Sequence, residues 1–557
     1  MIPAFRRCFG PHAQMQSESS SLWVTMLLWL WASFLIGSML GPLFGPGELF
    51  LRDMVVLDHP RLIPSAVGFG MLPARNVPQD GVLALVGMLV PASWFVRVVL
   101  LAAGAFGAWC AMCCARTTPA KFAAVAMTLA NPFVIERLLQ GHWGLVITAW
   151  VLPGIYVWRK HPKRVVLLLW VCSLTPTGAV IALVFALCVV RSRLVIVIAG
   201  LLSSLPWLVP SLITPSSAGI TTVFLGRAEA GVGTLGTFFT LGGLWNTSAV
   251  PDSRNAGFAT IGLLVWFALV PFIPRRLWLP SLIGIGGFVL LWLGPSTLIF
   301  ATIPGAQLFR DSSKLALLLI PGLVVATGRF QLPRLRLAPL FLSIMIVAQT
   351  PDALVALQML QPVQFDVEDG VGAERGGGSG VEAERGGEAA GVGAADGQAD
   401  AASATSSSES GDQASANDAA ARAATYNFAP SNHVLLQLDH GGLVRIGDRI
   451  GVDPATKMQE ILHSGSLVVH TDTGSVVADP INPVFLQAKA AWFRHDTKLL
   501  DELGICYVQH QNVVHTRTCP APYTTNWRYQ LGVGLLGLWC LVPVGVALWR
   551  RKATVKS

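Results

Sequence analysis

The chain has 557 residues, of which 53% are hydrophobic and only 13% charged, and its mean hydropathy is +0.58. A soluble domain with so little charge would precipitate. Runs long enough to cross about 30 Å of hydrocarbon recur along most of the length, so a polytopic membrane protein is the expectation. The formal net charge of +8 comes from short basic clusters between apolar runs, which carry topology information and no nucleic-acid signal.

The first apolar run, LWVTMLLWLWASFLIGSMLGPLFG (22–45), follows Arg6 and Arg7. It exceeds the apolar core of about 7–15 residues that a secretory signal carries, and no clean cleavage site follows. It reads as an uncleaved first span, with residues 1–21 cytoplasmic. Basic clusters then recur at Arg116 and Lys121, at Arg159, Lys160, Lys163 and Arg164, at Arg191 and Arg193, at Arg275 and Arg276, at Arg329, Arg334 and Arg336, and at Arg550, Arg551 and Lys552. If each is cytoplasmic, residues 22–350 form an α-helical domain, and the chain has about twelve spans with both termini inside. The stretch 122–158 has room for two short helices with a turn at 136–142. TPTG (175–178) breaks 165–190 into two very short helices, unless that stretch is one long tilted span. CAMCC (110–114) lies at the end of a span with no His nearby and reads as small packing residues.

Four loops are left facing outward. They are 46–80 (with 81–93 lying along the interface before Pro91), 135–142, 214–255 and 294–314. They hold almost all the carboxylates before residue 366: Glu48, Asp53, Asp58, Asp80, Glu136, Glu229, Asp252 and Asp311. After a last outward span at 338–350, residues 351–425 read as an extracytoplasmic linker. Within it, 366–425 is Gly, Ala, Ser, Glu and Asp with repeated fragments, a composition that cannot bury a core and should be disordered. From 426 the β-branched runs HVLLQL, LVRIG, SLVVHT and ICYVQHQNVVHT and the helical patterns PVFLQAKAAWF and TKLLDELG predict a small extracytoplasmic α/β domain over 426–529. A final span at 530–549 and a cytoplasmic tail at 550–557 follow. Cys506 and Cys519 are the two cysteines of the outer domain, where an oxidising compartment permits a bridge.

The stretch NPFVIERLLQGHWG (131–144) puts Glu136, Arg137, Gln140 and His142 at the outer end of a hairpin. Charges at membrane depth are costly unless they line a polar cavity. With Asp53 and Asp58 of the first loop and Arg310 and Lys314 of the fourth, they predict a polar vestibule on the outer face. There is no P-loop or dinucleotide fingerprint, and ATP is absent outside the membrane. An activated substrate must therefore arrive in the bilayer, and a polyprenyl-phosphate sugar is the obvious candidate. Transfer needs a carboxylate to take the acceptor's proton and cations to hold the leaving phosphate. LFRDSSKL (308–315) offers Arg310 and Lys314 at i, i+4, which on a helix share one face.

Three segments carry a family resemblance: NVPQDGVLALVGMLVPASWFVRVVLLAAGAFG (76–107), NPFVIERLLQGHWGLVITAWVLPG (131–154) and LFRDSSKL (308–315). In the outer domain LLDELGICYVQHQ (499–511) adds to it. The chain resembles membrane glycosyltransferases of the GT-C superfamily, above all the arabinofuranosyltransferases of the bacterial cell wall and related actinobacterial multi-spanning envelope proteins. The resemblance implies an inverting enzyme of the bacterial inner membrane, active on its outer face, that builds cell-envelope glycan, arabinan or lipoglycan. It implies a catalytic Asp in the first outer loop, which maps best onto Asp53, with Asp58 as second choice; the family's fuller acidic motif does not surround it. Arg310, Lys314 and Arg137 would hold the donor phosphate, and Glu136, His142 and Asp311 would shape the acceptor pocket. No metal and no cofactor is implied; the partners are the lipid-linked donor, a glycan or lipoglycan acceptor and membrane lipid. The rival expectation is a non-enzymatic transporter or assembly factor on the same scaffold.

Overall fold

The computed structural model describes residues 18–71, 76–214, 222, 224–303, 305–366, 424–425, 431–439, 441–471, 474–511 and 513–553. They are mostly helical, with a small sheet-containing region near the C-terminus. Among them, eight stretches are long and apolar enough to cross a membrane: Leu22–Leu43, Ala92–Cys114, Thr118–Gln140, Arg193–Ile213, Arg254–Phe272, Arg275–Leu293, Ser312–Arg329 and Trp527–Trp549. Trp143–Val157, Pro176–Val189 and Ala338–Val347 are apolar but shorter. The stretch 165–190 is divided as TPTG suggested, into Pro162–Cys172 and Pro176–Val189.

Local chemistry sets these boundaries. Thr117, Asn131, Thr175 and Asn482 each accept a hydrogen bond from a backbone N–H of the first helical turn, and each is followed by a proline at one of the first two helical positions. A side-chain oxygen there satisfies an orphan donor, and proline removes another that would have no partner. The Pro132–Gln140 helix ends at Gly141, whose φ of +88° only glycine adopts without strain. A Cβ at Gly141 would also lie 2.2 Å from the backbone nitrogen of Met54. This glycine therefore allows the first loop to lie directly on the hairpin turn.

That loop is a small antiparallel hairpin. Leu49–Leu51 pairs with Met54–Val56, and Leu51 opposite Met54 leaves Arg52 and Asp53 as a two-residue turn. Arg52 takes a φ of +51°. Its guanidinium donates to the carbonyls of Leu139 (2.5 Å) and Ser248 (2.5 Å), tying the first loop to the second and third. Past it, the Gln79–Gly87 helix leads to Met88, Leu89, Val90 and Trp94, which are all exposed, as an interfacial segment requires.

Three of the basic clusters come near one another at Cys114, which lies within electrostatic range of Arg159 and Arg329 and two residues before Arg116. Arg116 N–H donates to the Gly328 carbonyl (2.9 Å), and Lys163 donates to the Trp549 carbonyl (3.2 Å) and sits over its ring. The last helix is fixed by Trp539, which donates to Ser173 Oγ (2.8 Å) and accepts from Trp170 (2.9 Å).

The linker boundary needs correction. Residues 351–366 are folded: Leu357 and Leu360 are buried, and Glu48 and Val363 exchange two backbone hydrogen bonds of 2.8 Å. Apart from Ala424 and Thr425, residues 367–430, and with them the expected disordered tract, lie outside the described residues.

The C-terminal region has the predicted strands and helices. A four-stranded sheet runs in the order Val513–Thr516, Ile505–His510, Val434–Gln437, Ile461–Leu462; the first pair is antiparallel and the others parallel. The Pro483–Phe493 and Thr497–Glu502 helices cover it through Phe485, Ala488 and Leu500 against Leu436, Ile505 and Val508. Cys506 and Cys519 are bonded. The region is docked on the first loop rather than merely tethered. Arg52 donates to Ile450 (3.0 Å) and accepts from Val452 (3.0 Å) along the backbone. Buried Glu460 accepts from Ser65 N (2.9 Å), Ser65 Oγ and Met71 N (2.7 Å), and Lys457 pairs with Asp80 at 2.7 Å.

Candidate functional site

The four expected outer loops converge. The Pro132–Gln140 helix and the His142 turn form the floor, and each further loop adds charged groups to it. Glu136 and Arg137 are 2% and 1% exposed. They do not snorkel into water, so each must find partners inside the protein.

Arg137 faces the fourth loop. Its fork grips Asp311 through Nη1–Oδ2 at 2.5 Å and Nη2–Oδ1 at 3.2 Å. Ser313 Oγ accepts from Nη2 at 2.5 Å and donates to Asp311 Oδ1 at 2.7 Å, closing the network. Burial pushes the Asp311 carboxyl up. The Arg137 guanidinium, with Lys314 and the two hydrogen bonds, outweighs burial and holds it well below the usual carboxylate range.

Arg137 also reaches His142, with Nη1 3.3 Å from Nδ1. A guanidinium has no acceptor, so Nδ1 must accept, and the ring proton sits on Nε2. From there it is aimed at Asp53 Oδ2, 3.0 Å away. Burial shifts His142 further toward the neutral form. Gln140 Nε2 donates to the same carboxylate oxygen at 2.8 Å, and Asn246 of the third loop fixes Gln140 by donating to its Oε1 at 2.8 Å. Asp53 N–H donates to the Gln140 carbonyl at 3.2 Å. Asp53 is thus aimed by a chain of donors, while its side chain stays 43% exposed.

The LFRDSSKL segment is not one helix. Ala306–Phe309 and Ser312–Leu318 are separate 3₁₀ turns, broken at Asp311, whose ψ is +87°. Arg310 and Lys314 therefore do not share a helical face. Arg310 turns to the C-terminal region, where it grips Asp479 (2.6 and 3.3 Å) and lies over the Phe224 ring. Lys314 stays with the floor, within electrostatic range of Asp311, Arg137, Arg310 and Asp53. Among the described residues its ammonium makes no hydrogen bond or ion pair. An uncommitted, half-buried ammonium beside an exposed carboxylate can hold an anion while the carboxylate takes a proton.

Asp58 is placed elsewhere. It accepts from Ser93 Oγ at the start of the Ala92–Cys114 helix, and its backbone is held by Glu48 and Ala92. Burial raises the Glu48 carboxyl to about 7. These groups anchor the base of the first loop.

The third loop supplies a set that sequence reading did not select as a site. Arg254 donates from Nη2 to Glu229 Oε2 (2.5 Å) and to Thr240 Oγ1 (2.7 Å), and Leu244 N–H donates to Glu136 Oε2 (3.0 Å). Arg227 Nη2 lies 3.6 Å from Glu229 Oε1. Glu229 stood out in the sequence only as an outward acid, and Arg254 carried no spacing signal. Among the described residues no group of three or more His, Cys, Asp or Glu side chains gathers as a metal site. No protein-family model, no curated protein and no solved structure matches this chain.

Proposed function

We propose that this chain is a GT-C-like glycosyltransferase of a bacterial inner membrane, crossing it about twelve times and working on the outer face with a polyprenyl-phosphate-linked sugar. The observation that carries the reading is the pairing of Asp53, aimed by His142 and Gln140, with the uncommitted ammonium of Lys314 on the same floor. Asp53 takes the proton of the acceptor hydroxyl. The hydroxyl oxygen bonds to the anomeric carbon from the face opposite the phosphate, the carbon–phosphate-oxygen bond breaks, and configuration inverts. Lys314 holds the departing polyprenyl phosphate, with Arg137 behind it. Arg310 joins them once its fork leaves Asp479. The product is one more residue on a cell-envelope glycan, arabinan or lipoglycan. Both termini are cytoplasmic in this orientation, and the C-terminal region lies outside over the first loop.

The test is a lipoglycan and arabinogalactan profile of a deletion strain, complemented by wild type, Asp53→Asn or Asp58→Asn. Asp53→Asn is nearly isosteric and keeps an acceptor for His142 but cannot take a proton. Turnover should fall by about 10²–10⁴-fold with normal insertion, and Asp58→Asn should be milder. Full restoration by Asp53→Asn with failure of Asp58→Asn moves the base to Asp58. If neither substitution changes the profile, the scaffold works as a transporter or assembly factor.

A further inference from the structure

We infer that the hairpin 467–479 of the C-terminal region is a strap over the site, released by phosphate: Asp479 holds the Arg310 fork, and an arriving phosphate opens the strap by taking that fork. The inference rests on the glycosyltransferase reading and adds how access to the same floor is regulated.

The hairpin stands apart from the rest of its region. Among the described residues, Leu467–Thr471 and Gly474–Asp479 pair with each other and with no other strand, so the four-stranded sheet is complete without them. Val468 and Val477 are exposed, and little apolar burial holds the hairpin down. Its base is fixed instead. Asn482 N–H donates to the Ser464 carbonyl at 2.8 Å, and Asn482 Nδ2 donates to the Met71 carbonyl at 3.0 Å. Gly465, with a φ of +64°, gives the chain a hinge beside that base. The strand pairing slips between Val477 and Asp479. A bulge re-aims side chains, and here the consecutive residues Ala478 and Asp479 are both buried. The bulge sits where Asp479 meets the Arg310 fork, at 2.6 and 3.3 Å.

The fork is oriented without help from the strap. Arg310 lies over the Phe224 ring at 4.2 Å, and Phe224 is itself buried, edge-on to Trp245 at 4.7 Å. Gly226 N–H donates to Ser312 Oγ at 2.9 Å, joining the third loop to the fourth just beyond. Asp311, next in sequence, is committed to Arg137 on the floor, so Arg310 and Asp311 face opposite partners. Arg310 is also within electrostatic range of Lys314. Two cations so placed favour an anion, and Asp479 is the one the strap brings. A carboxylate and a phosphate offer a guanidinium the same paired oxygens, so they compete for one fork. A terminal phosphate has a further oxygen for Lys314, which Asp479 lacks. Exchange at the fork removes the charged contact that fastens the strap to the fourth loop.

The experiment uses the full chain in lipid nanodiscs containing polyprenyl phosphate or polyprenol, read by amide hydrogen exchange and by a binding titration. In wild type, polyprenyl phosphate should speed exchange of 467–471 and 474–479 about tenfold or more and leave the Ile505–His510 strand unchanged. Polyprenol should change neither. Asp479→Asn keeps the shape and loses the charge. It should exchange at the opened rate without the lipid, gain nothing when the lipid is added, and bind it about tenfold tighter, since no carboxylate competes. Arg310→Gln should open the strap equally but bind the lipid more weakly, a split that a merely structural ion pair would not give. If Asp479→Asn fails to fold, wild type and Arg310→Gln decide. Inorganic phosphate added to polyprenol discs separates the sources: opening there assigns the fork to free phosphate, and opening by the lipid alone assigns it to the headgroup. The inference is overturned if neither phosphate opens the wild-type strap, if Asp479→Asn exchanges as wild type does, or if it binds phosphate no tighter. No turnover is read, so failure here leaves the Asp53→Asn result untouched. Conversely, strap opening with full turnover in Asp53→Asn would keep the strap and discard the proposed base.

Discussion

Asp311→Asn tests whether the floor of the site is held by a desolvated ion pair. The Arg137 and Asp311 side chains are 1% and 5% exposed, and the contact is two-pronged at 2.5 and 3.2 Å. Asn keeps the shape and one acceptor but leaves a guanidinium buried without its counter-charge. Breaking a buried pair from one side costs about 3–5 kcal/mol, against about 0–1 for an exposed pair. Replacing both partners, as Arg137→Met with Asp311→Leu, should recover most of that loss, because the desolvation penalty goes with the charges. The assay is a double-mutant cycle of unfolding in detergent, followed by tryptophan fluorescence. The pH dependence has a fixed sign. The Asp311 carboxyl lies below its ordinary range in the folded chain, so its stabilisation is complete above the unfolded value of about 4 and fades only as pH falls below that. The Asn penalty should therefore be flat between pH 5 and 8. Wild-type stability in Asp311→Asn, or a penalty that disappears by pH 6, would show that the pair is solvated and refute the argument. The double variant should stay inactive even when stable, since Met cannot supply the donor that sets the His142 tautomer.

Glu48 gives the opposite sign. Its pKa is raised from 4.5 to about 7, so the folded chain is penalised increasingly as pH rises from about 4.5 and fully above about 7. Glu48→Gln, which keeps an acceptor for Asp58 N–H, should raise stability at pH 8 by up to about 3 kcal/mol and leave it unchanged at pH 4.5; equal melting shifts at both pH values would count against this. The Cys506–Cys519 bond spans 13 residues. Cys519→Ala should destabilise the C-terminal region by about 2–3 kcal/mol and speed its proteolysis, without moving the unfolding of the helical bundle. Topology can be read by labelling with a membrane-impermeant maleimide. Ala230→Cys should label from outside and His161→Cys should not; labelling at 161 in intact cells would reverse the orientation.

Much of this architecture is written locally. A run of apolar residues must leave water whatever surrounds it, so the spans could be read from Leu22, Ala92, Arg193 or Trp527 onward. Thr117, Asn131, Thr175 and Asn482 mark helix starts because a cap acts on its own first turn. The β-branched runs of the C-terminal region became strands because such side chains favour extended backbone wherever they lie. Partner choice is different. Arg137 meets Asp311 across 174 residues, and Arg310 meets Asp479 across 169. No spacing rule reaches that far, and the i, i+4 reading of Arg310 and Lys314 failed because Asp311 leaves the helical conformation to reach Arg137. Likewise, Glu136 was legible as a charge that needed a partner, but only the packing of the third loop on the hairpin supplied Leu244 N–H and brought Glu229 and Arg254 alongside. Hydropathy and capping are properties of neighbours along the chain. Which buried charges neutralise one another, and which are left to meet a ligand, depends on where four distant loops come to rest.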